Sequence, residues 1–182
     1  MLNPFIENLN KVGGQFAEVA DVREAAAYIA GHVTGSVLLP PQSSLQRIGL
    51  AAALAADGVA VVEDAWREQG PAASGGVTGA NFALADTGTL VLESTDESLR
   101  IATTLPERHF ALLDPSKILS DSMAAVPYLR GFHERAPRNY LAYITGPSRT
   151  ADIERVLTIG VHGPRELHVL LMPGLSNDFY EL

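Results

Sequence analysis

The sequence predicts an α/β fold: an open, largely parallel or mixed sheet flanked by helices. Three observations carry this. Short apolar, valine-rich runs alternate with helix-length segments over residues 16–62. Most of the runs are continuously apolar, as in strands covered on both faces. Gly, Pro and Asp punctuate the junctions between them.

The elements follow in order. Residues 3–11 read as a short helix or arm, within an N-terminal arm expected over 1–20. Residues 16–20 read as a strand. Asp21 then caps a helix to about Ala30, with Val22, Ala26, Ile29 and Ala30 on one face. Glycines at 31 and 35 end it. Val37, Leu38 and Leu39 form a short buried strand that stops at Pro40 and Pro41. Ser43 or Ser44 caps one helix over 43–56, which Asp57 and Gly58 terminate. Residues 59–62 are the next strand. Residues 67–76, rich in Gly, Ala, Pro and Ser, read as a mobile loop with the character of a lid. A hairpin joins residues 81–85 to 89–94 through Asp86, Thr87 and Gly88, where glycine supplies the positive φ of a tight turn. Residues 95–104 are irregular or helical. Residues 109–113 are a strand, 121–132 a helix, 133–138 a charged loop and 139–145 a strand. A helix is expected over 150–157, a tight loop over 160–164 and a last strand over 166–172. No internal repeat is present.

Composition bounds the function. A chain of 182 residues, 47% hydrophobic and 19% charged, fits one globular domain over 1–182 and not a disordered segment. The absence of cysteine excludes disulfides, thiolate metal sites, a cysteine nucleophile and cysteine-ligated iron–sulfur clusters held by these residues. A net charge of −8 with no basic cluster disfavours nucleic acid and anionic membrane as partners. The first residues lack the basic start and apolar run of a signal peptide, and no run approaches the roughly 18 apolar residues of a membrane span, so a cytoplasmic location is expected.

Three polar groups carry the candidate chemistry. In the first, a strand ends at Gly146, Pro147 and Ser148, and a helix is expected within a few residues. Ser148 and Thr150 sit where hydroxyls cap a helix, and its free N–H groups would favour a phosphate or carboxylate. Plain capping explains the same residues. Asp152 and Glu154 add negative charge there and suit a hydroxyl or a metal instead. In the second, His162 lies in a loop beside Gly163, and a loop imidazole suits acid–base work or a structural hydrogen bond. In the third, Asp86, Thr87, Gly88 and Thr89 form a polar turn, and Glu93 ends an apolar strand, where a carboxylate serves as nucleophile, as base, or simply as an exposed strand end. His32, His109, His133 and His168 lack metal-ligand spacing, so no metal site is expected; His168, inside an apolar strand, reads as structural. Phosphate-loop, dinucleotide, esterase-elbow and zinc-protease motifs are absent.

Three stretches, ADTGTLVL at 85–92, GPSRTADIE at 146–154 and GVHGPRELHV at 160–169, resemble the LUD domain of the lactate-utilisation protein C family. The resemblance covers roughly residues 59–172, with the motifs in the family's order. It implies a fold like that of ribose-5-phosphate isomerase and the CoA transferases. It also implies a role in oxidising L-lactate to pyruvate beside partner proteins that carry iron–sulfur clusters. With no cysteine and no nucleotide fingerprint, this chain would then be an accessory or substrate-handling component holding no cofactor of its own. The alternatives are an independent enzyme acting on a small anionic acyl or phosphate ester near Thr87, Glu93, Ser148 and His162, and a non-catalytic scaffold or regulator. In CoA transferases a glutamate attacks the thioester, and Glu93 is a counterpart by chemistry only. The Asp86–Thr89 turn, the Gly146–Glu154 segment and the His162 loop are expected to converge at one edge of the sheet.

Overall fold

The computed structural model describes residues 1–136, 138–151 and 157–182. The chain runs α1 (Leu2–Lys11), β1 (Gln15–Glu18), α2 (Val22–Ala30), β2 (Ser36–Leu38), α3 (Ser43–Arg47), α4 (Leu50–Ala56), β3 (Ala60–Val62) and α5 (Trp66–Gln69). It continues through β4 (Gly75–Gly79), β5 (Phe82–Leu84), β6 (Thr89–Glu93), α6 (Glu97–Thr104), β7 (Arg108–Leu113), β8 (Ile118–Leu119) and α7 (Ser122–Arg135). The last elements are β9 (Leu141–Ile144), β10 (Arg149–Thr150), β11 (Thr158–Ile159) and β12 (Glu166–Leu171).

Six strands form an all-parallel sheet in the order β1-β12-β7-β4-β2-β3. A second sheet, β8-β5-β6-β9, holds the hairpin, with Phe82 opposite Val91. Side-chain alternation along the central strands divides the core. Phe110, Leu112 and Leu170 face α2 and α4, packing with Ala26, Ile29, Leu50 and Leu54. Ala111, Leu113, Val169 and Leu171 face the second sheet and α1, packing with Leu90, Leu92, Phe5 and Leu9. The far face of the second sheet puts Phe82 and Val91 against Ala125 and Phe132 of α7. Each sheet is therefore covered on both sides, which accounts for the continuously apolar strands.

The sequence expectations meet this fold with four corrections. Asp21 caps α2 as expected, accepting from the N–H groups of Arg23 and Glu24. The arm at the start of the chain is a helix docked by fully buried Phe5 and Leu9. The helix expected over 43–56 is two helices, broken where Gly49 takes φ +71°. The loop expected over 67–76 instead holds α5 and a 3-10 turn, and its last two residues begin β4, an interior strand of the parallel sheet. Its glycines mark close packing: a Cβ on Gly76 would lie 1.8 Å from the carbonyl oxygen of Ala102 in α6. The helix expected from Thr150 does not start there, because Thr150 pairs with Thr158 in the antiparallel β10–β11 ladder. Residues 152–156 lie outside the described residues, and with them the readings of Asp152 and Glu154. Finally, α7 runs on through Arg135, shortening the expected charged loop.

Candidate functional site

The parallel sheet has two polar ends, and each borders a cavity. At the amino ends of β7 and β12, a cavity of about 440 Å³ is lined by His109, Thr145, Gly146, Ser148, His162 and Gly163, among others. Its rim is stitched by backbone bonds. The Ser148 N–H donates to the Pro164 carbonyl (2.9 Å), and the Gly160 N–H donates to the Ser148 carbonyl (2.9 Å). Gly146 adopts φ +77°, and a Cβ there would lie 2.3 Å from the Val12 carbonyl oxygen, so this turn admits only glycine. The Arg149 guanidinium donates to that same carbonyl.

The Asp86–Thr89 turn reaches this cavity through hydroxyls. The Thr87 and Thr89 hydroxyls are 2.7 Å apart, and those of Thr89 and Thr145 are 2.8 Å apart. Thr87 also donates to Asp86 at 3.3 Å. Asp86 and Thr87 are exposed, whereas Thr89 is buried. Gly88, at φ +65°, lies against the backbone of Asn8 and Leu9 in α1. Of the sequence-predicted residues, Thr87, Thr89, Gly146, Ser148, His162 and Gly163 thus gather at one end of the molecule.

His109, which the sequence showed only to lack metal-ligand spacing, lines this cavity. It is 1% exposed, and its Nε2 lies 2.8 Å from the Thr78 hydroxyl. Burial, and secondarily the nearby His168, pushes the imidazole down to about 4, so it is neutral at physiological pH. His168 faces the other side of the sheet and is satisfied twice, by the Tyr28 hydroxyl at Nδ1 and by Glu166 at Nε2, each at 3.0 Å.

Glu93 is elsewhere, and the structure corrects the pairing of Glu93 with His162. Thr89 and Glu93 are the two ends of β6, about 13 Å apart at ~3.3 Å per residue, so the strand carries Glu93 away from the Thr89–Thr145 hydroxyls and the cavity that His162 lines. Glu93 lines a second cleft of about 460 Å³ together with Gln42, Thr95, Arg135, Arg138 and Asn139, among others. This cleft sits past the carboxyl ends of β2 and β4. Its walls are tied by buried amides. The Gln42 Oε1 accepts from the Gly79 N–H (2.8 Å), and the Asn81 Oδ1 accepts from the Glu93 N–H (2.6 Å). The Asn81 Nδ2 donates to the Phe179 carbonyl (3.1 Å). One Glu93 oxygen accepts from the Thr95 N–H (3.1 Å) and from its hydroxyl. The Arg135 guanidinium stacks 3.7 Å from the Tyr180 ring centre.

Just past the carboxyl end of β7 lie Asp114 and a buried lysine. Lys117 is 2% exposed and donates to the carbonyls of Asp178 (3.3 Å) and Glu181 (3.4 Å). Burial pushes its ammonium down to about 8, against the opposing pull of Asp114, Glu181 and Asp178. Gln42, Asn81, Asn139 and Lys117 all escaped the sequence reading. For Gln42 and Asn81 the available signal was position alone: a lone amide within a few residues of an apolar strand's end. Among the described residues, no group of three or more His, Asp or Glu is placed to hold a metal ion, and no helix is long and apolar enough to cross a membrane.

Comparison with known proteins fits this architecture. The chain is 33% identical over 153 residues to Lactate utilization protein C of Anoxybacillus flavithermus, covering 81% of this chain and 67% of that protein. It is 28% identical over 163 residues to Lactate utilization protein C of Bacillus subtilis, covering 83% and 67%. An uncharacterized protein of Neisseria meningitidis serogroup B is 41% identical over 95 residues, covering 52% of this chain and 40% of that one. The matched stretch thus spans from 40% to 67% of these relatives' own length. The crystal structure of a DUF162 family protein from Deinococcus radiodurans shares the fold, with a TM-score of 0.65, 19% identity, and coverage of 94% of this chain and 95% of that one. The LUD domain profile matches residues 2–172, which takes in α1, both sheets and the polar segments at each end, and the chain belongs to the LUD domain family.

Proposed function

We propose that this chain is the substrate-handling component of a lactate-utilisation system that oxidises L-lactate to pyruvate and passes the electrons to iron–sulfur partner proteins. The observation that carries this reading is the likeness to proteins named Lactate utilization protein C across four-fifths of the chain. Converting a 2-hydroxy acid to a 2-keto acid releases two electrons and two protons, and side chains alone do not accept the electrons. These 182 residues contain no cysteine with which to ligate a cluster. The division of labour that follows is binding and orientation of the acid here and electron transfer in a partner.

The test is genetic and then biochemical. Deleting the gene in its own cells should abolish growth on L-lactate while sparing growth on glucose, and the wild-type gene should restore it. An anaerobic pull-down of the tagged protein should yield a coloured eluate whose visible absorption bleaches on adding L-lactate. Unimpaired growth of the deletion strain on L-lactate, with a colourless eluate, would overturn the reading.

A further inference from the structure

Buried polar atoms in folded proteins are almost always paired. Among the described residues, two buried side-chain polar atoms have no hydrogen-bond partner, Gln42 Nε2 and Asn139 Oδ1. Both residues line the cleft at the carboxyl ends of β2 and β4. Gln42 is 3% exposed, so water does not stand in freely for a partner.

The orientation of each amide is settled by its other bond. Gly79 presents an N–H to Gln42, so the Gln42 oxygen must face it, and the NH₂ is left over as a donor. Ala136 presents a carbonyl to Asn139 at 3.0 Å, so the Asn139 nitrogen must face it, and the oxygen is left over as an acceptor. The cleft therefore holds one waiting donor and one waiting acceptor. Around them stand two guanidinium groups, Arg135 and Arg138, and one side-chain carboxylate, Glu93, with the Leu182 backbone at the wall. The volume, about 460 Å³, lies within the roughly 300–1,000 Å³ of small-molecule sites, at the end of the parallel strands where such sheets bind ligands.

We propose that this cleft binds a short 2-hydroxymonocarboxylate through Gln42, Asn139 and Arg138. The carboxylate accepts from Gln42 Nε2 and is drawn by the Arg138 guanidinium; the hydroxyl donates to Asn139 Oδ1. A plain carboxylate leaves the Asn139 oxygen unpaired, and a 2-keto acid meets it with a second acceptor. A dicarboxylate brings a second negative charge toward Glu93. The proposal rests on the lactate-utilisation reading for its choice of probe; the donor and acceptor stand without it.

The experiment is calorimetric titration of the purified chain with L-lactate, propionate and pyruvate, paired with nitrogen-15 spectra of side-chain amides. L-lactate should bind, with propionate and pyruvate each weaker by about tenfold or more, the loss expected for an unmatched buried hydrogen-bonding group. The Gln42 side-chain NH₂ signals should shift on adding L-lactate. Gln42→Glu keeps an oxygen toward the Gly79 N–H and replaces the donor by an acceptor, so it should abolish binding. Arg138→Gln, at an exposed position, leaves the core untouched and should weaken L-lactate binding several-fold even if Gln42→Glu fails to fold. Equal affinity for all three acids, no binding at tens of millimolar, or shifts confined to the Ser148 and His162 loops would overturn the site. Such a failure with growth on lactate still lost in the deletion strain would fall on the cleft alone. L-lactate binding with unimpaired growth would fall on the proposed function alone.

Discussion

Acid should weaken this protein in part through the buried imidazole of His109. In the folded chain His109 titrates near 4, against 6.5 for a free histidine, because burial penalises its charged form. Between those values the unfolded chain binds about one proton more than the folded chain, so stability rises with pH across the window. The contribution is complete above pH 6.5 and is lost as pH falls toward 4. A difference from 6.5 to about 4 corresponds to about 3 kcal/mol in all, of which about 2 kcal/mol is lost between pH 7 and pH 5. The perturbation is His109→Gln, which keeps a polar group within reach of the Thr78 hydroxyl and removes the titration. Urea unfolding of both proteins at pH 7, 6, 5 and 4.5 gives the free energies. The variant starts less stable at pH 7, and its curve should be flatter than that of the wild type by about 2 kcal/mol over the upper two units. Parallel curves, or an imidazole of His109 titrating near 6.5 in the folded protein by NMR, would refute the reasoning.

Two further outcomes follow from the packing and from the ion pairs. Gly76→Ala places a methyl 1.8 Å from the Ala102 carbonyl, a backbone atom of α6, so helix and strand must separate; overpacking on this scale should cost about 3 kcal/mol or more and lower Tm by roughly 10 °C. A melting curve within 2 °C of wild type would contradict that contact. Arg47→Ala removes the guanidinium that pairs with Glu181, whose carboxyl is held near 2 first by that bond and then by the Ser176 hydroxyl. Its carboxyl carbon, followed by NMR, should titrate at least about one unit higher in the variant. A midpoint unmoved from 2 would assign the shift to Ser176.

What the sequence made legible was chemistry that is local. Asp21 two and three residues before the N–H groups it caps needs no tertiary information, and α2 begins where that spacing places it. Asp86, Thr87 and Gly88 likewise announce the hairpin, and Gly88 has the positive φ that such a turn needs. The misreadings arose where distant residues decide. Gly75 and Gly76 have loop composition, yet they begin an interior strand, and α6 lies too close there for a Cβ at Gly76. Ser148 and Thr150 have the hydroxyls of a helix cap, but Thr150 pairs across to Thr158. In the candidate site, the hydroxyl and histidine residues at the amino end were recognisable by type. Gln42 and Asn139 were not, because what distinguishes them is an unmet hydrogen bond, a property of the assembled cleft and not of any spacing.

Net charge poses the remaining question, because a chain carrying −8 should repel the small anions proposed as its ligands. Screening resolves this. At physiological ionic strength the Debye length is about 8 Å, so most of the 21 acidic side chains contribute little at any one cleft. What an incoming carboxylate meets is local. At the carboxyl-end cleft that is Arg135 and Arg138 against Glu93, one of whose oxygens is already engaged by Thr95. At the amino-end cavity His109 is neutral, and the described lining offers hydroxyls and His162. The two ends therefore differ in kind. The first suits holding an anion, and the second suits hydrogen bonding to an uncharged or already partnered group. Raising salt should accordingly weaken binding at the carboxyl end, since its attraction comes from exposed guanidinium groups, while the buried donor of Gln42 keeps its preference among ligands at any ionic strength. A substrate-handling domain with both ends in use would take its anion at one end of the parallel sheet and present a separate polar surface at the other.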